Sequence, residues 1–125
     1  PDAATLSIGL SGLLPMSDPR FQATIRFVED HLLTAPTVYR YRCDDGLPGV
    51  EGGFHLCTTW LIEAYARGGR RDDAAKLLER FASLAGPTGL LSEEYDPLHG
   101  RALGNVPQAY SHLGLINAAL AVSTA

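Results

Sequence analysis

Basic charge is scarce in this sequence, and cysteine scarcer. Ten Lys and Arg stand against 14 Asp and Glu, for a net charge of −4, and the longest basic run is the pair Arg70–Arg71. Nucleic acids and anionic membrane surfaces select clustered cations, so neither is expected as a partner. A neutral or cationic small ligand suits the balance better. Long apolar runs are missing too: PDAATLSIGLSGLLP, 1–15, has an apolar middle but no basic n-region, and Gly9, Gly12 and Pro15 break it well short of a bilayer span. With no targeting or membrane segment read, a cytoplasmic location is expected. Two cysteines, Cys43 and Cys57, are too few for a secreted disulfide framework. They can pair, or stay reduced. No zinc spacing joins His55 and Cys57 to Cys43, His99 or His112, so no metal is expected.

What is present is ordinary globular composition, 46% hydrophobic and 19% charged over 125 residues, enough for one domain-sized unit with a core of its own. Its periodicity is mainly helical. Asp18 can cap a helix with Pro19 at the first position, and Phe21, Ile25, Val28 and Leu32 then form one apolar stripe, predicting a helix over 18–33 that ends near Pro36. VYRYR, 38–42, alternates and reads as extended. Residues 43–53, with four glycines and Pro48, read as a loop. HLCTTWLIEAYAR follows as a second helix, and Gly68–Gly69 joins it to RRDDAAKLLERFASLAG, whose Ala74, Leu77, Leu78, Phe81 and Leu84 share one face: an αα-hairpin. A second long loop covers 86–107. The last helix, 108–123, is nearly all apolar, as is a helix expected in the first fifteen residues. Both patterns predict burial. A chain this short encloses few such helices, so the reading also implies neighbours: more polypeptide, or a second copy.

Function gathers on loops held by rigid elements. The first loop brings Arg40, Arg42, Asp44 and Asp45 toward Glu51 and Phe54. Paired donors and acceptors with aromatic faces suit a polyhydroxyl ligand; the alternative is that these arginines and aspartates simply pair at the surface. The second holds GLLSEEYDP, 89–97. Adjacent carboxylates on extended backbone point to opposite sides, so one of Glu93 and Glu94 can face a cavity. A carboxyl beside another acid, near Leu90, Leu91 and Tyr95, has the surroundings that raise a pKa toward a general base. A solvated acidic loop is the alternative. Trp60 reads as core.

Three segments in order, EGGFHLCTTW at 51–60, LLSEEYDP at 90–97 and LGNVPQAYSHLGLINAAL at 103–120, resemble the C-terminal part of the glycoside hydrolase family 15 proteins, the glucoamylases and their trehalase and glucodextranase relatives. The preceding DPRFQATIRFVEDHLL and VYRYR are similar to it as well, so the resemblance covers nearly the whole chain. It implies an all-α fold, the last five or so helices of an (α/α)6 six-hairpin barrel. It also implies inverting hydrolysis of a terminal α-glucosidic bond in a maltooligosaccharide, an α-1,6 glucan or trehalose, by a general acid and a general base roughly 6.5–9.5 Å apart. The family's base resembles the first Glu of a Ser-Glu-x-Tyr-Asp stretch, here Glu93, with Glu94 as its support. Arg40, Asp44, Phe54 and Tyr110 match substrate-binding positions, with Arg42 the second choice for the arginine. His112 and Asn117 are expected to satisfy buried polar groups. The family's acid lies in an earlier loop with no counterpart in this chain. No cofactor is implied.

A different class remains: HLCTTWLIEAYARGGRRDDAAKLLERFASLA also reads as one unit of a helical interaction or oligomerisation scaffold. Such scaffolds repeat at a fixed period, and no second copy recurs at roughly 30 to 50 residues.

Overall fold

The structure, a computed structural model, describes residues 1–49 and 51–125; Val50, inside the first predicted loop, lies outside the described residues. Asp2 opens the chain by accepting from the Ala4 amide at 2.8 Å, and a 3-10 turn, Ala3–Leu6, runs into a single helical turn, α1 (Ser7–Leu10). The long first helix predicted from hydropathy does not form. Gly12 takes φ +83°, and Leu13 is left 75% exposed. The turn stays close because Gly9 lies on the ring of Phe21, where a Cβ would overlap it.

α2 (Pro19–Leu32) forms as its sequence predicts. The Asp18 carboxylate accepts from the Arg20 amide at 2.8 Å, Pro19 takes the first turn, and Phe21, Ile25, Val28 and Leu32 are fully buried. Each such side chain contributes roughly 1.5–3 kcal/mol by leaving water. Leu33 then turns extended, and a minimal antiparallel pair, β1 (Leu33–Thr34) with β2 (Thr37–Val38), reverses the chain.

α3 (His55–Arg67) is the central element. Cys57, Leu61, Ile62 and Ala64 are fully buried, with Trp60 packed at their margin. Gly69, at φ +86°, makes the tight turn into α4 (Arg71–Ala82), which lays Ala74, Leu77 and Phe81 on the core. Asp72 and Asp73 in its first turn complement the positive end of the helix. The αα-hairpin is therefore as predicted.

The all-α expectation is corrected in the second loop. β3 (Gly53–Phe54), β4 (Glu94–Asp96) and β5 (Arg101–Leu103) form a three-stranded antiparallel sheet with β4 in the middle. Phe54 faces Glu94 across one ladder, and Leu103 faces Glu94 across the other. Pro97 begins the β4–β5 turn, which the Asp96 carboxylate organises by accepting from the Leu98 and His99 amides at 2.9 and 3.2 Å. Strands of two or three residues are too short to show a period of two, and Gly and Pro on either side disguise them as loop.

α5 (Ala109–Thr124) also departs from expectation. It packs on α3 through its small residues, Ser111, Gly114 and Ala118, while Tyr110, Leu113, Ile116 and Leu120 are each more than half exposed. Gly114 lies against the Thr59 side chain, leaving no room for a Cβ. Small side chains permit the closest approach to α3, so the large ones are turned outward. Among the described residues no helix is long and apolar enough to cross a membrane.

Candidate active site

The peptide carrying the two glutamates is fastened at every residue. The Leu91 amide donates to His112 Nε2 at 3.0 Å, and the Leu91 carbonyl accepts from the Gln108 amide at 3.0 Å. The Ser111 hydroxyl donates to the Ser92 carbonyl at 2.6 Å, and the Ser92 hydroxyl to the Glu94 carbonyl at 2.7 Å. The Glu93 amide donates to the Asn105 carbonyl at 2.9 Å, and its carbonyl accepts from the His55 amide at 3.1 Å. Glu94 is then held by strands on both sides. Helix starts at His55 and Ala109 thus grip one short stretch, and the grip fixes which way each carboxylate points.

Both carboxylates face a cavity of about 260 Å³. Its lining is completed by Phe54 and Gly52 and, from the first long loop and the segment before it, by Arg40, Tyr41, Asp45, Leu47 and Glu51. Gly52 is a requirement of this close approach: a Cβ there would come within 2.6 Å of the Tyr95 carbonyl oxygen. The aromatic ring of Phe54 and the side chains opposite it offer a face and several polar partners, as a sugar ring needs.

Glu93 Oε2 accepts two hydrogen bonds from Asn105, from its backbone amide at 3.2 Å and its side-chain amide at 3.1 Å. Gly104, at φ +74°, lies under the carboxylate; a Cβ there would stand 2.8 Å from Oε2. Among the described residues Oε1 is uncommitted and free to accept a proton. Glu94 has different surroundings. Burial first, then the neighbouring Glu51 carboxyl and the charge of Glu93, push its pKa up to about 8, against a smaller opposing effect of the Gly52 amide. At neutral pH this holds Glu94 mainly in its neutral form.

The remaining expected residues are placed as follows. Arg40 reaches the cavity, its Nε 3.6 Å from Asp2 Oδ1. Arg42 points elsewhere, over the Tyr39 ring and onto the Thr34 hydroxyl. Asp44 accepts from the Gly46 amide at 2.8 Å and is not on the cavity wall; its neighbour Asp45 is, accepting from the Tyr41 hydroxyl at 3.1 Å. Tyr110 lies on the outward face of α5, away from the cavity. His112 does satisfy a backbone amide, that of Leu91, whereas Asn117 is exposed. Tyr41, Asp45 and Glu51 are read from sequence only as members of the loop suited to a polyhydroxyl ligand, with no role of their own, and Leu47 is not singled out. The signal for them was their place in the same Gly-rich loop as Arg40.

Beneath the site, His55 is buried with its Nε2 3.4 Å from the Ser92 hydroxyl and its ring against Phe81 and Tyr95. Burial lowers its pKa to about 4, so it is neutral packing at ordinary pH. The two thiols are free, Cys43 exposed and Cys57 buried, and burial pushes the Cys57 thiol up to about 12.

A carboxylate-rich pocket that includes an aromatic ring, set on a mostly helical frame, has the lining of the class of sites that suit polyhydroxyl ligands. Within that class the chain belongs to glycosyl hydrolases family 15, whose family description matches residues 1–120. It is 45% identical over 124 residues to a trehalase of Mycolicibacterium smegmatis, covering 97% of this chain and 19% of the relative. It is 44% identical over 124 residues to a trehalase of Mycobacterium tuberculosis, covering 97% of this chain and 18% of that protein. A trehalase of Thermoplasma acidophilum is 43% identical over 119 residues, 94% of this chain and 20% of its own. The chain spans about a fifth of the length of these curated relatives. No solved structure matches it. The family match gives no support to a helical interaction module as the primary role.

Proposed function

We propose that this chain supplies the catalytic base and part of the sugar pocket of an inverting α-glucoside hydrolase, with trehalose as substrate. The observation that carries the reading is the Glu93 carboxylate, held on the cavity wall by Asn105 through one oxygen with the other free. The trehalase relatives favour trehalose among α-glucosides. Glu93 takes a proton from water as that water's oxygen bonds to the anomeric carbon, and the glycosidic C–O bond breaks on the opposite face. A general acid, from polypeptide outside these 125 residues, protonates the departing oxygen. Arg40 and Asp45 hold sugar hydroxyls, and Phe54 covers a C–H face. The chain forms the C-terminal portion of an (α/α)6 barrel, and the outward apolar side chains of α5 are what further helices would cover.

The test offers trehalose, maltose and isomaltose to the purified chain and to Glu93→Gln, following glucose release and the NMR shifts of pocket residues. Expected are trehalose-dependent shifts at Arg40, Phe54 and Glu94 that Glu93→Gln weakens. Any hydrolysis should be lost in Glu93→Gln and give α- and β-glucose in equal first yield. Binding without hydrolysis supports an acid supplied from elsewhere. A folded chain that shows no shifts at the pocket, or hydrolyses trehalose equally well without Glu93, overturns the reading.

A further inference from the structure

Glu93 and Asn105 stand at the open end of the β4–β5 hairpin, and the ladder alone would not bring their side chains together. Its register runs Asp96↔Arg101, Tyr95↔Ala102 and Glu94↔Leu103, so a regular continuation sets Glu93 opposite Gly104 and Ser92 opposite Asn105. Successive pairs alternate between the two faces of a sheet, which would leave Asn105 on the face away from Glu93. The chain departs from that register at one point. The Glu93 amide donates to the Asn105 carbonyl at 2.9 Å, passing over Gly104, whose φ of +74° is the left-handed conformation of the extra residue in a glycine bulge. Asn105 is thereby turned to the side of Glu93. Its backbone amide, at 3.2 Å, and its side-chain amide, at 3.1 Å, both end on the same oxygen, Oε2. At the closed end the Asp96 carboxylate, 5% exposed, pins the turn by accepting from the Leu98 and His99 amides and lying 2.6 Å from His99 Nδ1.

We infer that Asn105 is a positioning residue for Glu93, aimed by the bulge at Gly104, and that it selects which carboxylate oxygen meets the attacking water. The inference rests on the reading of Glu93 as the base. A carboxylate oxygen has about two acceptor positions, and two converging donors fill those of Oε2. Oε1 is left to take the proton, in a direction the hairpin dictates. A glutamate without such a partner turns about its side-chain bonds, and a displacement of roughly 1 Å at a reacting atom can cost about a hundredfold in rate. The contact is exposed to solvent, so it adds little to folding stability. Its value lies in orientation.

α-Glucosyl fluoride tests this on the chain as it is, because fluoride leaves as an anion and needs no proton from a general acid. The oxygen of water bonds to the anomeric carbon, the C–F electron pair departs with fluoride, and Glu93 takes the proton of the water. Fluoride release by the purified chain, followed with an ion-selective electrode, gives kcat and KM. Asn105→Ala should lower kcat by roughly tenfold or more, with KM within about twofold of the parent. Asn105→Asp has the same shape with an acceptor in place of the donor, and should lose at least as much. Both should keep the parent's circular dichroism and melting temperature; Asn105→Ser, too short to reach Oε2, serves should either not fold. An Asn105→Ala chain with unchanged kcat, beside a Glu93→Gln chain that releases no fluoride, overturns the positioning role and leaves the base untouched. A loss carried by KM or by melting temperature instead assigns Asn105 to binding or folding and overturns it as well. An unaltered chain that releases fluoride no faster than Glu93→Gln overturns the base itself, and the positioning role with it.

Discussion

Two groups near the site, buried His55 and half-buried Glu94, give stability opposite dependences on pH. His55 is 1% exposed and its pKa falls from 6.5 to about 4 on burial. Between those values the unfolded chain binds the proton and the folded chain does not, so this contribution is complete above pH 6.5 and lost as the pH falls toward 4. The full loss is about 3 kcal/mol. Glu94 runs the other way. Its pKa rises from 4.5 to about 8, so the contribution of its neutral form is complete below pH 4.5 and lost as the pH climbs toward 8. Between pH 4.5 and 6.5 the two slopes oppose each other. Melting temperature against pH should therefore show a plateau there and decline on both sides. His55→Asn, which cannot take up a proton, should flatten the acid side, and Glu94→Gln the alkaline side. A melting curve whose alkaline decline survives Glu94→Gln would place the responsible group elsewhere.

Among the elements, the contact of α5 with α3 has the least tolerance. Ala normally favours a helix over Gly by roughly 1 kcal/mol. At Gly114, however, the new Cβ would enter the Thr59 side chain, and overpacking of this kind costs about 1–3 kcal/mol. Gly114→Ala should lower the urea midpoint, and Thr59→Ala in the same chain should restore part of the loss. Legibility followed element length. α2 could be read to within a residue or so because a cap, a proline and four apolar positions agree, and α3 and α4 because Gly68–Gly69 punctuates them. The β3–β4–β5 sheet could not, since β3 pairs with residues some forty positions away and β4 and β5, though near in sequence, are too short to show a local period. In α5 the composition announced burial without showing which side, because small and large residues both count as apolar. At the site, resemblance pointed to Glu93, and the fold places it on the cavity; that Glu51 lines the same cavity needed the fold, since adjacent acids in sequence say nothing of a third one brought over from another loop.

For the molecule as a whole, Tyr110, Leu113, Ile116 and Leu120 form an exposed apolar row along α5. A chain of net charge −4 has little repulsion to keep such faces apart. Light scattering of the purified chain should show association that rises with concentration, and replacing Leu113, Ile116 and Leu120 by Glu should return it to a monomer with its helix content intact. Association that persists in the triple variant would assign it to another surface. Glu93, the proposed base, is on a backbone fastened at each residue, so an insertion or deletion there would rotate every later side chain to the wrong face. Arg40, Asp45 and Glu51 belong to a stretch whose length no ladder dictates. Descendants of such a chain, in nature or in a directed-evolution library, can explore new ligands by rewriting that stretch while the fastened carboxylate is inherited unchanged.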